Sequence, residues 1–487
     1  MIRRLFRPVA CLLALPLAAC TAVGPDYREE IPAHPLDWAT PAPGVVPADP
    51  RSLASWWRSF NDPLLDELVQ RAIEGNRDLA IARQRLLQAR AERDQVASRL
   101  APQLSAGGEA NAQRSAKALD YPPGIGESRT YRLGLDASWE VDVFGGRRRA
   151  LEAADAQVQA VAEDESAVLV SLLAELANDY AALRATQQRT LIARDNLATL
   201  VAAERLAEKA YERGLGTTME VAQARAERGL GEARLPELAA DEERLIHALG
   251  VLSGDFPGGL QECLASRRPI LLDPPSLPAS LPSEVVRNRP DIRAAERRLA
   301  ASTARIGVAE AERFPRFVIP LGLGTSASLV RDLFSDASLA WSLGIVADQT
   351  LYDGGRREAG VRAAEAEARA MRLAYQQSVR VAFRDVEDAL SGLNAERLRQ
   401  ASLRGAVKDS QDALGRATRL YRNGLSGYLS VLTAQRATYQ ARDALALSRM
   451  AHTQHVIGLY KSLGAGWQAS TTLPRPASTN PASLVRR

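Results

Sequence analysis

The chain has 487 residues, of which 46% are apolar, 25% charged and only 5% aromatic. This composition excludes a disordered chain and favours helices packed through small side chains. The formal charge of +4 falls to 59 basic against 58 acidic side chains once Arg3, Arg4 and Arg7 are set aside with the leader. A protein so near neutral has no electrostatic footprint for nucleic acid.

Arg3, Arg4 and Arg7 precede an apolar run from Val9 to Ala19, the layout of a secretory signal peptide over residues 1–19. The run is shorter than the ~20 apolar residues that span a bilayer. It ends in Leu17-Ala18-Ala19-Cys20, which resembles the bacterial lipoprotein cleavage box. That resemblance implies that Cys20 becomes the first mature residue and carries a diacylglycerol and an N-acyl chain, enough for stable anchoring. Thr21 rather than an aspartate follows, which resembles the outer-membrane address. The other reading of these residues is ordinary secretion with an incidental Cys20. Cys11 leaves with the leader and Cys263 stands alone, so no intrachain disulfide is expected.

Residues 20–55 are rich in proline and alanine and read as an extended, lipid-anchored segment. Two similar units follow, at 56–252 and 283–466, joined by a Pro-rich linker at 253–282. A Pro/Ser/Thr tail at 467–487 is expected to be disordered. Asn76-Arg77-Asp78-Leu79 in the first unit answers to Asn288-Arg289-Pro290-Asp291-Ile292 in the second. Asp142-Val143-Phe144-Gly145-Gly146-Arg147 answers to Leu351-Tyr352-Asp353-Gly354-Gly355-Arg356, and Tyr211-Glu212-Arg213-Gly214-Leu215 to Tyr421-Arg422-Asn423-Gly424-Leu425. The spacing stays near 210 residues throughout, the mark of a duplication.

Each unit reads helix, two strands, very long helix, turn, long helix. Strands are expected at about 103–113 and 130–142, then at about 317–326 and 338–349. Tyr131, Leu133, Leu135, Ala137, Trp139 and Val141 alternate with polar or small residues. That period of two runs for about as long as a strand needs to cross a bilayer. The hairpins are expected at about 147–250 and 356–464. From Arg147 to Ala210 there is no proline or glycine, enough for a helix of roughly 95 Å. No mature stretch reads as a transmembrane helix, so a membrane crossing must be made of strands. Four strands cannot close a barrel, and open edges are not tolerated in lipid. The chain must therefore pool strands with copies of itself, and three copies would supply twelve.

These features resemble the outer membrane efflux protein family (TolC-like outer membrane factors), in its acylated OprM/NodT-type branch. The residues that carry the resemblance are Cys20 with Val23-Gly24-Pro25-Asp26-Tyr27, Trp56-Trp57 with Asn61-Asp62-Pro63-Leu64-Leu65, Asn288-Arg289-Pro290-Asp291, Trp139 to Gly145, and Asp353-Gly354-Gly355-Arg356. The resemblance implies an α+β membrane protein. Its homotrimer would form a twelve-stranded β-barrel, four strands per chain, continued by a long α-helical coiled-coil tunnel in the periplasm with a mixed equatorial domain. It implies a passive channel anchored in outer-membrane lipid of a Gram-negative bacterium. The channel would be served by a periplasmic adaptor (membrane fusion) protein and an inner-membrane transporter of the resistance-nodulation-division type.

The resemblance also places adaptor docking and pore dilation at the hairpin tips, Gly214-Leu215-Gly216-Thr217 and Gly424-Leu425-Ser426-Gly427. Glycine there also serves simply to reverse the chain. Gly145, Gly146, Gly354 and Gly355 read as bends where strand becomes helix. The acidic residues that relatives carry after the second tip are absent from Ser426 to Thr433. The nearest acids of the other hairpin are Glu212 and Glu220. No cofactor, metal site or catalytic constellation is expected: His452 and His455 share a helical face without ligand-like neighbours and read as solvated. A structural or adaptor-type periplasmic lipoprotein without a pore is the competing reading.

Overall fold

In the computed structural model, residues 22–30, 32–41, 45–47, 53–116, 126–266, 277–279 and 282–468 are described. The leader, Cys20 and nearly all of the tail therefore lie outside the described residues. Helices α1 (Pro63–Gly75) and α2 (Arg77–Ser98) precede strands β2 (Gln103–Arg114) and β3 (Glu127–Val141). Helices α3 (Gly146–Glu212) and α4 (Thr218–Leu252) form the first hairpin, and a short α5 (Gln261–Ala265) follows. The second unit repeats the plan with α6 (Pro282–Asn288), α7 (Pro290–Ala311), β5 (Arg316–Ala327), β6 (Leu339–Leu343), β7 (Val346–Asp348), α8 (Arg356–Arg422) and α9 (Tyr428–Ser462). Two three-residue strands, β1 (Val45–Pro47) and β4 (Leu277–Ala279), pair in parallel by themselves. The long helices are 67 residues each, the return helices 35 each, and α2 and α7 22 each.

Two compact units divide the chain. The first comprises Arg85–Ala162, Ala294–Gln376 and the described part of Met1–Glu30. It holds an antiparallel sheet in the order β2-β3-β5-β6, with β7 also on β5. β6 and β7 lie in one continuous register against β5, Leu321 opposite Leu343 and Phe317 opposite Ala347. The single strand expected over 338–349 is interrupted at Gly344–Ile345. The cause lies opposite: Pro320 has no N–H to give the ladder, and only its carbonyl is used, by the Gly344 N–H at 3.2 Å. The chain thus contributes four strand positions, with β2 and β6/β7 left as open edges.

The N-terminal Val23-Gly24-Pro25-Asp26-Tyr27 is fastened to this unit. The Val23 N–H donates to the Phe144 carbonyl at 3.0 Å. The buried Arg149 donates to the carbonyls of Val23 (3.0 Å) and Gly24 (3.2 Å) and to Asp26 (2.7 Å). Gly24 has φ +90° and lies flat on Gly307, where a Cβ would come within 2.4 Å of the Gly307 Cα. Tyr27 donates to Glu296; burial and that carboxylate both push its phenol up.

The second unit comprises Ile31–Gln84, Glu163–Arg293 and Gln377–Arg487, again in its described parts. Its core gathers Trp56, Trp57, Phe60 and Tyr460, with Trp56 stacked on Tyr460 at 5.1 Å. Asp62 caps α1 through the Leu64 N–H with Pro63 at the first helical position, the combination that starts a helix without orphaned donors. Asn76 does the same for α2 through the Leu79 N–H at 2.9 Å. One 18-residue stretch of α3 has mean hydropathy 1.3, long and apolar enough to cross a membrane by composition. No transmembrane helix is expected from the sequence; this one stretch passes by length and composition, and 56% of it is buried inside the protein.

His452 corrects a second expectation: it is buried, not solvated, and the ring of His455 lies on Gly392, where a Cβ would come within 2.3 Å. The hydrogen of Gly392 is what leaves room for the ring. Elsewhere in this unit, Glu387 accepts the backbone N–H groups of Ala39 (2.7 Å) and Thr40 (2.9 Å). Burial pushes the Glu387 carboxyl up, but those hydrogen bonds prevail and hold it below the usual range. Its contribution is therefore present above the unfolded value of ~4.3 and lost as pH falls through the lower folded value. Limited proteolysis near residues 38–41 should be slow at neutral pH and speed up below about pH 4. In Glu387→Gln the cleavage should be fast at neutral pH and lose that acid step. An acid step that persists in the variant would assign it to another group.

Candidate functional site

The sheet presents two chemically distinct faces. One carries the rows Leu104–Ala137–Leu321–Leu343, Ala106–Leu135–Leu323–Trp341 and Gly108–Leu133–Thr325–Leu339. Its large side chains are uncovered, Trp341 to 74%. Exposed to water, such a patch would be an aggregation surface; as the outside of a membrane strand it is the required apolar band. The opposite face carries Gln103–Ser138–Pro320, Ser105–Asp136–Gly322–Ser342 and Gly107–Gly134–Gly324–Ala340, then Glu109–Arg132–Ser326. It is polar and made of small residues, as a water-filled lumen requires. Arg132 and Glu109 pair there at 3.5 Å.

At the foot of the sheet the strands turn into helices. Gly145 takes φ +79° with the backbone of Ala22 against it, and Gly146 opens α3. Asp142 accepts the N–H groups of Arg147 (3.0 Å) and Arg148 (2.9 Å), closing the first turn. In the second repeat Gly354 and Gly355 both take positive φ, +66° and +86°. Asp353 there accepts from Gly355 and Arg357, which with Arg356 hold its carboxyl below the usual range against the opposing effect of burial.

The two tips are built alike. Gly214 and Gly424 each take φ +70°, and Leu215 and Leu425 project into solvent at 81% and 73% exposure. Beneath them Ala203, Ala207, Val221, Ala224, Tyr428, Val431 and Leu432 form one cluster drawn from both hairpins. Tyr428 is fully buried and its phenol is pushed up to about 12, first by burial and then by Tyr421 and nearby carboxylates. Thr217 and Glu220 form a reciprocal capping box at the start of α4 (3.3 and 3.0 Å). The second oxygen of Glu220 accepts the Tyr428 N–H at 3.3 Å, at the start of α9, whose own cap is Gly427 and has no side chain. One carboxylate thus serves two helix N-termini, where negative charge is favoured. Glu227 pairs with Arg436, and Arg189 pairs with Asp443 at 2.7 Å, adding two further ties between hairpins.

The sequence reading noted Glu220 only as a nearby acid. The Thr217-x-x-Glu220 spacing signals its capping box, but its reach to Tyr428 belongs to the tertiary structure alone. Among the described residues no group of His, Cys, Asp or Glu could hold a metal ion.

Comparisons with known proteins agree with this geometry. The family model described as "Outer membrane efflux protein" matches residues 68–251 and 281–465, one match per repeat. The chain is 32% identical over 471 residues to a pyoverdine export outer membrane protein, OpmQ, of Pseudomonas putida, covering 95% of this chain and 98% of that one. It is 33% identical over 481 residues to the outer membrane protein OprJ of Pseudomonas aeruginosa, covering 95% and 96%. A solved structure of the outer-membrane channel OprN is 37% identical, with TM-score 0.83, covering 92% of this chain and 99% of that one. The fold class is that of trimeric outer-membrane channels, four strands per chain in a twelve-stranded barrel with a helical tunnel. Apolar outer face, polar small-residue inner face, open edges and paired hairpins are what that class requires, and the chain belongs to the outer membrane efflux protein family, as the non-enzymatic outer-membrane channel of a tripartite efflux system.

Proposed function

We propose that the chain is acylated at Cys20, receives its cargo from a resistance-nodulation-division pump, and meets its periplasmic adaptor at the two tips. The adaptor and inner-membrane pump follow from the tripartite system; the pump class, anchor and docking residues are our reading. In this reading residues 1–19 are the leader, 20–55 the anchored segment, 56–252 and 283–466 the two channel repeats, 253–282 the linker and 467–487 the tail.

The observation that carries the docking surface is the pair of exposed leucines, Leu215 and Leu425, at the two turns, flanked by the further exposed apolar side chains Met219 and Leu429. Gly214, Gly216, Thr217, Gly424, Ser426 and Gly427 shape the turns that present them. The anchor is supported by Ala22, which packs on Gly145 at the foot of the sheet. Two residues reach at most about 7 Å, so an acylated Cys20 would tether the chain close to the foot of the sheet. The double variant Leu215→Asp with Leu425→Asp should abolish export while leaving trimers in the outer membrane. Removing two exposed apolar anchors commonly costs an interface ~2 kcal/mol or more each. Export at the wild-type rate would remove the tips from the docking surface. Cys20→Ala should shift the mature protein's mass by the loss of its acyl chains; a difference of one sulfur atom and nothing more would refute the anchor.

A further inference from the structure

Where the sheet meets the helices, its polar face holds a cavity of about 400 Å³ lined by Arg99, Gln103, Ser138, Glu140, Arg147 and Val318. Register places Gln103 and Ser138 in one row and Glu140 and Val318 in the next, all on the inner face of the barrel. Arg99 comes from the turn just after α2 and Arg147 from the first turn of α3. The volume is within the roughly 300–1,000 Å³ of small-molecule sites.

The charges in it do not balance. Arg147 binds both oxygens of Glu140, at 2.7 and 3.4 Å, so the one carboxylate is already engaged. Arg99 has no carboxylate partner among the described residues. What remains is a guanidinium, an amide and a hydroxyl around an open cavity, beside a second guanidinium held by a single acid. Arginine presents a planar fork matched to a carboxylate. The duplicated fold does not demand this arrangement: at the corresponding positions of the second repeat Glu312 stands for Arg99 and Gln349 for Glu140. Gln349 there donates to the Arg313 carbonyl instead. The Arg99 and Glu140 combination is therefore not repeated in the second half, where Arg316 and Arg356 stand for Gln103 and Arg147.

We propose that this cavity is a transit site for carboxylate-bearing organic solutes on the channel wall, with Arg99 as the principal contact and Glu140 as the internal competitor that keeps binding weak enough for release. Gln103 and Ser138 supply the neutral hydrogen bonds. Through the threefold assembly there are three such sites at one level of the pore.

The test uses the intact trimer in a non-ionic detergent and 19F NMR titration with 4-fluorobenzoate and its neutral counterpart 4-fluorobenzamide. Benzoate should bind saturably and benzamide should not. Arg99→Gln should weaken benzoate binding about tenfold or more, the loss of a charge-assisted contact. Glu140→Gln should tighten it, because Arg147 is released to the solute, and a gain of binding cannot come from misfolding. Arg331→Gln, on the exposed loop between β5 and β6, should bind as wild type does. Equal responses to benzoate and benzamide, or an Arg99→Gln trimer that binds benzoate like wild type, would overturn the proposal.

Discussion

Replacing Glu220 with alanine is expected to raise the resting conductance of the reconstituted trimer several-fold and to sensitise cells to bulky antibiotics that ordinarily stay outside. The substitution removes the acceptor of the Thr217 and Tyr428 N–H groups at once. Loss of a helix cap costs ~0.5–2 kcal/mol, and the tie between hairpins disappears with it. At about 1–2 kcal/mol per protomer, three protomers shift the balance between joined and separated tips by about 3–6 kcal/mol, enough to invert a strongly one-sided equilibrium. The neighbouring cluster around Tyr428 remains, so the helices should persist and only the tips should part. Glu220→Gln should have a smaller effect, because glutamine also completes a capping box. Planar-bilayer recordings decide the matter: an alanine variant with wild-type conductance would mean that Glu220 caps helices and restrains nothing else.

The second large effect concerns Arg184, a fully buried arginine in the second unit. It donates to the Gln187 side chain at 2.7 Å, to the Ser266 carbonyl at 2.9 Å and to the Tyr180 hydroxyl at 3.0 Å, and lies 4.7 Å from the centre of the Tyr180 ring. Tyr180 in turn donates to Asp62 at 2.6 Å, and Gln187 to Glu242 and the Leu264 carbonyl, both at 2.9 Å. Burial, and then Asp62, push the Tyr180 phenol well up, so the network holds the tyrosine neutral and donating. Arg184→Met strips donors from two buried acceptors and from the Ser266 carbonyl, a loss of about 3–5 kcal/mol by analogy with broken buried ion pairs. The apparent Tm of the unit should fall by roughly 5–10 °C. Arg184→Lys should fall part of the way, since an ammonium keeps the charge but lacks the fork. A methionine variant melting with the wild type would show the network to be energetically idle.

Duplication was the most legible property of the chain, because glycines and prolines at element ends recur at a fixed interval and no tertiary information is needed to see them. The sheet's outer face was legible for the same reason: Leu133, Leu135 and Trp139 must share a side if the segment is a strand. The interruption opposite Pro320 was not read, although its cause is a single residue, because a proline acts on the neighbouring strand and the pairing partner is unknown until the sheet is assembled. Arg184 looked like any charge in a helical stripe. One of its partners, the Ser266 carbonyl, lies 82 residues away in sequence. Glu220 shows the same limit at the tips: a search of Ser426 to Thr433 finds no acid, yet the structure delivers one there from the other half of the chain.

The equal lengths of the paired helices have a consequence for how such a chain can change. Removing one heptad from each helix of the first hairpin would withdraw its tip by about 10 Å, and Glu220 would no longer meet Tyr428. The same excision in the second hairpin would bring them level again. Either deletion alone should therefore be deleterious, and the two together should rescue one another. The repeats behave as the two legs of a caliper, free to lengthen or shorten in evolution only by matched steps.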